Sequence, residues 1–313
     1  MSKKLLVVFG ATGQQGGSIA DIALTDPELS QKYNVRAITR DANSSKAQAL
    51  KSKGAEIVEA DSDKPETLKT ALTSANFVFA ITITHYEGET RKNETRQAKA
   101  ICDEAVKQGA EYIIWSSMSH PEKISGGNLK SVEHFDVKAE VEQYIRTLPV
   151  KSAHFAPGSF MQNLLGNQKP RPSPNGDGTY VMGNLLADDT KWPLIDITDT
   201  GKWVAAVLAE PDKYDGKFFA AAQGLYSNVE IAEAISKHTG KTVKHHQLPD
   251  EVFKGFLPPA HLKEWLFGMY LLIRDYGYYG KNMAEEVEWA KQQARGHLTT
   301  LEEFLKKVDY KLD

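Results

Sequence analysis

Apolar and polar positions change period along this chain. Leu5-Leu6-Val7-Val8-Phe9 is an unbroken apolar run, the pattern of a central strand covered on both faces. Val35-Arg36-Ala37-Ile38-Thr39, Ala55-Glu56-Ile57-Val58-Glu59, Phe77-Val78-Phe79-Ala80-Ile81 and Tyr112-Ile113-Ile114-Trp115 read as four more short strands. Helical periods separate them. One helix opens near Gln14, and a second follows Asp63, with Pro65 in its first turn and Leu68, Ala71 and Leu72 at helical spacing. A longer one spans Arg91 to Gln108 and is closed by Gly109. Strands alternating with helices over residues 1–155 predict a parallel sheet with right-handed crossovers, a doubly wound Rossmann α/β domain.

The texture changes after Ala156. Lys169-Pro170-Arg171-Pro172-Ser173-Pro174-Asn175-Gly176-Asp177-Gly178 cannot hold a helix or a central strand and reads as surface loop. Mixed short strands, a helix over Asn228 to Thr239 and an aromatic-rich stretch from Trp265 to Tyr279 complete the chain. Residues 156–313 are therefore expected to form a smaller mixed α/β part that exchanges segments with the first. It should close over the cleft at the carboxyl ends of the parallel strands, where open α/β sheets hold ligands. The aromatic stretch fits either core packing or a partner-binding surface.

Composition narrows the functional classes. With 313 residues, 41% hydrophobic and 25% charged, the chain matches an ordinary globular protein. A formal net charge of −3 gives no general attraction to nucleic-acid backbones or anionic lipid, so direct nucleic-acid binding is not expected. No apolar run approaches the length of a membrane span. The single cysteine, Cys102, cannot form an internal disulfide, which fits a cytoplasmic or nuclear compartment. The start, Met-Ser-Lys-Lys, runs into the first strand with no small-residue cleavage site, so no secretory leader is expected. His245-His246 has no Cys, Asp or Glu at ligand spacing, so no metal site is expected.

The strongest motif is Gly10-Ala11-Thr12-Gly13-Gln14-Gln15-Gly16-Gly17, directly after the first strand and opening a helix. Gly10, Gly13 and Gly16 would let a pyrophosphate approach the main chain without a Cβ in the way, and Thr12, Gln14 and Gln15 share the turn. The second strand ends in Thr39-Arg40-Asp41, where an NAD-binding protein carries a carboxylate for the adenosine ribose. Arg40 instead fits a 2′-phosphate, so NADP(H) is the expected cofactor, with Asp41 as an alternative ribose contact. Asp61, after the third strand, is placed either to meet the adenine amino group or to serve a turn or helix cap. Thr82 and Ile83, after the fourth strand, would pass the middle of the cofactor, with no catalytic role for His85. Phe160 would pack near the nicotinamide or in the core.

These glycines, Arg40, Asp61 and the run His134-Phe135-Asp136-Val137-Lys138-Ala139-Glu140-Val141-Glu142 resemble the NmrA-like family, an atypical branch of the short-chain dehydrogenases. The resemblance extends through Pro157 to Asn163 and Ile195 to Asp199 and is looser beyond about residue 210. It implies NADP(H) binding and one of two functional kinds. Some members sense dinucleotide redox state and bind protein partners, as fungal repressors of GATA-type transcription factors do. Others resemble isoflavone and quinone reductases. Short-chain dehydrogenases set a tyrosine acid/base four residues before a lysine, one helical turn away. Lys138 matches the lysine and is expected to contact the cofactor, but His134 stands where tyrosine would. None of the twelve tyrosines precedes a lysine at that spacing. His134 is a candidate substitute donor, and Ser117, or its neighbour Ser116, matches the catalytic serine.

Loss of the tyrosine beside a retained nucleotide fingerprint favours redox-sensitive regulation through protein contacts, including contact with a transcription factor. The alternative is an NADPH-dependent reductase of quinone or isoflavone-reductase type, acting on a small-molecule substrate. On the first reading, polar segments Thr84 to Asn93 and Ser119 to Lys130, beside the expected cleft, would be ordered by the cofactor.

Overall fold

The computed structural model describes residues 2–84, 88–258 and 261–312. The first half runs β1 (Lys4–Val8), α1 (Gln14–Thr25), α2 (Leu29–Lys32), β2 (Tyr33–Thr39), α3 (Ser45–Ser52), β3 (Glu56–Glu59), α4 (Pro65–Leu72), β4 (Phe77–Ala80), α5 (Thr90–Lys107), β5 (Tyr112–Ser116), α6 (Pro121–Ile124), α7 (Glu133–Ile145) and β6 (Lys151–Pro157). The second runs β7 (Ser159–Phe160), β8 (Arg171–Pro172), β9 (Tyr180–Asn184), β10 (Trp192–Ile195), α8 (Thr200–Ala209), β11 (Phe218–Ala221), β12 (Gly224–Tyr226), α9 (Asn228–Thr239), β13 (Val243–Gln247), α10 (Asp250–Phe256), α11 (His261–Leu271), α12 (Met283–Gln293) and α13 (Leu301–Lys307). The five strands and four helices expected from periodicity all form, with ends displaced by at most two residues.

Seven strands make one parallel sheet in the order β11-β6-β5-β4-β1-β2-β3. The apolar runs explain why it is covered twice. Leu6 and Val8 of β1 pack with Ile19 and Ala20 of α1, whereas Val7 and the following Phe9 pack with Leu68 of α4 and Ile101 of α5. β4 splits in the same way, Phe77 and Phe79 to one layer, Val78 and Ala80 to the other. A strand apolar on both sides must bury both, and two layers of helices do so. Strand order reverses between β1 and β4, which opens a crevice at their carboxyl ends.

Residue 155 falls inside β6, so the change in texture at Ala156 does not coincide with an element boundary. The chain leaves the sheet after Pro157 and comes back: α8 packs on α1, and β11 pairs with β6 at the sheet edge. The remaining strands form two small mixed sheets, β12-β10-β7 and β13-β9-β8. β8 is a two-residue exposed edge pairing within the Pro-rich loop, a position that tolerates Pro172. Of the aromatic stretch, Phe267, Tyr270, Tyr278 and Tyr279 are core. The hydroxyls of Tyr278 and Tyr279 donate to the carbonyls of Pro157 and Ala156, satisfying the end of β6. Among the described residues no helix is long and apolar enough to cross a membrane.

Candidate functional site

The crevice between β1 and β4 opens into a cleft of about 400 Å³ whose lining runs from the glycine turn through Arg40 and Asp61 to Ile83 and Phe160. Its floor is the turn between β1 and α1. Gly10 has φ +64°, a conformation costly for any residue with a Cβ. A Cβ on Gly16 would sit 2.4 Å from the carbonyl oxygen of Gly10, so the turn closes only with glycine there. Gly13 caps α1 in extended conformation without a side-chain cap bond, and the first turn of this 12-residue helix holds no acidic residue. Uncapped N–H groups at the positive end of the helix dipole face the cleft, the arrangement that receives a phosphate.

The adenosine end is laid out by the loops after β2 and β3. Arg40 is exposed on the cleft wall and makes no ion pair among the described residues. Asp41 turns away: its Oδ1 accepts the N–H of Asn43 at 2.9 Å, which closes a local turn. Asp61 lines the cleft, and its Oδ1 accepts the N–H of Asp63 at 3.0 Å, which closes a local turn. An adjoining hollow carries Lys46 beside Thr12, Gly13 and Gln14.

Lys138 does not line this cleft; it lies beneath the segment after β4, whose Ile81 and Ile83 do. Its Nζ is 2.7 Å from Glu94 Oε2 and 3.0 Å from Thr82 Oγ1, and Thr82 donates to the same carboxylate oxygen at 2.6 Å. Glu94 is 1% exposed, so this is a buried ion pair with a hydroxyl bridging it. Trp115 Nε1 donates to the Lys138 carbonyl at 2.9 Å, tying α7 to β5. Ile83, at 56% exposure, gives the cleft an apolar wall, with Phe160 also lining it.

Two candidate catalytic residues, His134 and Ser117, stand in buried surroundings. His134, one turn before Lys138, is stacked on Trp265 of α11 with ring centroids 5.2 Å apart and planes 6° from parallel. Burial pushes its pKa down to about 4, so at neutral pH the ring is neutral and carries no extra proton for an acid to give. Ser117 is fully buried, and its hydroxyl donates to Glu142 Oε2 at 2.6 Å, while Arg146 holds the other oxygen of that carboxylate. Ser116 is the strand-end serine tied to the cofactor turn, donating to Gln15 Oε1 at 2.9 Å.

The segment from Ser119 to Lys130 makes hydrogen bonds to α7 and within itself. His120 Nδ1 lies 2.6 Å from the buried Asp136 carboxylate, which also accepts the N–H of Glu122. Ser125 Oγ accepts the N–H of Leu129 at 2.8 Å. His85 lies outside the described residues. His245 is held by Asp188 and Asn184, and among the described residues no three metal-ligating side chains converge.

Glu94 and Gln97 were missed by motif reasoning. A signal existed: the buried stripe of α5, Ala98, Ile101, Cys102 and Ala105, extends back at helical spacing onto Thr90, Glu94 and Gln97. Polar residues at core positions of an amphipathic helix mark a site that supplies their partners.

Comparison with known proteins follows the same lines. The NmrA-like family model matches residues 2–305. An NmrA-like family domain-containing protein of Dictyostelium discoideum is 30% identical over 321 aligned residues, covering 100% of both chains. Among solved structures, NmrA, a negative transcriptional regulator in complex with NADP, aligns with a TM-score of 0.78 at 20% identity, over 98% of this chain and 96% of that one. The Citrobacter sp. triphenylmethane reductase complexed with NADP(H) aligns with a TM-score of 0.75 at 21% identity, over 97% and 99%.

Proposed function

The chain belongs to the NmrA-like family, and from that premise we propose that it is an NADP(H)-binding regulator that reports dinucleotide redox state through contacts with a protein partner such as a transcription factor. The cofactor part rests on the uncapped start of α1, the Gly10 to Gly16 turn and an Arg40 without an acidic partner among the described residues. These residues fit a diphosphate and a 2′-phosphate. The observation that carries the regulatory part is the state of the Lys138 end. Its ammonium is engaged by Glu94 and Thr82, and the residue one turn earlier is a neutral histidine under Trp265. Such a site can hold the nicotinamide ribose, but it lacks a poised proton donor. The cytoplasm or nucleus is the proposed compartment, in keeping with a fully buried single cysteine.

A second reading is an NADPH-dependent reductase, and the apolar wall of Ile83 and Phe160 favours it. Quinones or cationic acceptors could take hydride there with little need of a positioned acid. Turnover of NADPH with ketones and quinones, measured beside partner capture by the NADP⁺ and NADPH forms, tests the choice. Tight binding, turnover that is slow or absent, and capture that differs between the two forms are expected. Rapid turnover lost in Lys138→Met, with identical capture, would give the chain to the reductase reading.

A further inference from the structure

We propose that Gln97 selects the base of the dinucleotide by accepting a hydrogen bond from the exocyclic amine of adenine. The inference rests on the cofactor reading above and extends it to a residue that neither motif nor comparison marks. Gln97 stands on α5, is 2% exposed, and lines the cleft beside Asp61, Ser62 and Asp63. Its Nε2 donates to Asp63 Oδ1 at 2.9 Å. A carboxylate offers no donor, so this bond fixes which way the amide points: nitrogen toward Asp63, oxygen the other way. That oxygen, Oε1, is buried and has no partner among the described residues. A buried acceptor left so is a standing demand for a donor, and the cleft that Gln97 lines is the place from which a bound ligand would supply one.

The surroundings specify what kind of donor. Asp61 and Asp63 flank the same end of the cleft, and both carboxylates only accept. Arg40, on the adjoining wall, fits the 2′-phosphate, which brings the adenosine half to this end. A purine with an amino group at C6 donates to Gln97 Oε1. A purine with an oxo group there presents an acceptor at C6 and a donor at N1–H, which a carboxylate can meet, but the bond from C6 to Gln97 is lost. Sites built to meet a ligand N–H reject analogues that lack it because their own buried groups then stay unpaired.

The test compares binding of NADP⁺ with that of nicotinamide hypoxanthine dinucleotide phosphate, which exchanges the C6 amino group for an oxo group and carries a proton on N1, by calorimetric titration of the full chain. The unmodified protein should bind the hypoxanthine analogue at least about tenfold more weakly. Gln97→Met, which keeps the length but not the amide, should bring the ratio to about threefold or less by weakening NADP⁺ while the analogue is unchanged. Gln97→Asn, which keeps an amide but withdraws it by one methylene, should act in the same direction and carries the test if the methionine variant does not fold. Equal binding of the two dinucleotides by the unmodified protein overturns the proposal. So does full discrimination retained in either variant, which would give the reading of the base to Asp61. If neither dinucleotide binds, it is the cofactor reading that fails.

Discussion

Arg40, on the cleft wall, and Lys138, beneath the segment after β4, are both cations, but they stand in opposite electrostatic situations. Arg40 is solvated and unpaired among the described residues, so a phosphate reaching it gains a charge-assisted bond without displacing another partner. Arg40→Ala should reduce the preference for NADP(H) over NAD(H) by about tenfold, equivalent to roughly 1.4 kcal/mol, in parallel titrations of the two cofactors. Retention of the full preference would move the 2′-phosphate contact elsewhere, with Lys46 the next candidate. Lys138 already has a carboxylate, and the energetics of that pair are those of burial. Removing one member leaves the other charged and desolvated, so Glu94→Gln and Lys138→Met should each cost about 2–4 kcal/mol in urea unfolding. The double variant should cost clearly less than the sum, because both charges then go together. Additive losses would mean that the two charges do not interact. The glycines and Arg40 could be read from the sequence because each is fixed by its distance from a strand end. Glu94 could not be read in this way, since its partner is 44 residues away and meets it only once α5 and α7 are packed.

At the level of elements, the buried histidines of α7 and β6 give the fold its acid sensitivity. Burial holds His134 near pKa 4 and His154 near 3, both below the ordinary 6.5. The unfolded chain therefore takes up protons first as pH falls. Stability is complete above about pH 6.5 and declines below it until the folded-state values are reached. Each histidine should cost about 2 kcal/mol by pH 5, and denaturant titrations at pH 7 and pH 5 check the sum. A midpoint that does not move, with His134→Phe equally indifferent, would show that neither ring is held neutral by the fold. Which elements form was legible from their periods, because a strand covered twice and an amphipathic helix have distinct apolar patterns. Phe218-Phe219-Ala220-Ala221 was not legible as a member of the main sheet. Four apolar residues suit an edge strand of either part, and only pairing with His154 to Pro157 decides between them. The aromatics from Phe267 to Tyr279 were equally ambiguous until Tyr278 and Tyr279 were found bonding the end of β6.

For the whole molecule, the return of the chain to its own sheet bears on how it is made. β6 stays an edge until Phe218 to Ala221 arrive to pair with it, and α1 lacks its α8 cover until Thr200 to Ala209 have been made. During synthesis from the N-terminus the cofactor turn emerges early, yet the layer that steadies its helix comes some 180 residues later, as the bond from Gly201 N–H to Ser18 Oγ records. A fragment ending at residue 157 would expose an apolar edge and an uncovered helix face, so it should be insoluble or aggregate, whereas the full 313-residue chain should not. A soluble, dinucleotide-binding fragment would contradict this. Since the first half is sealed only when α8 and β11 arrive, a bound dinucleotide should mark a chain made at least through Ala221, and one that terminates earlier should have no partly working form to leave behind.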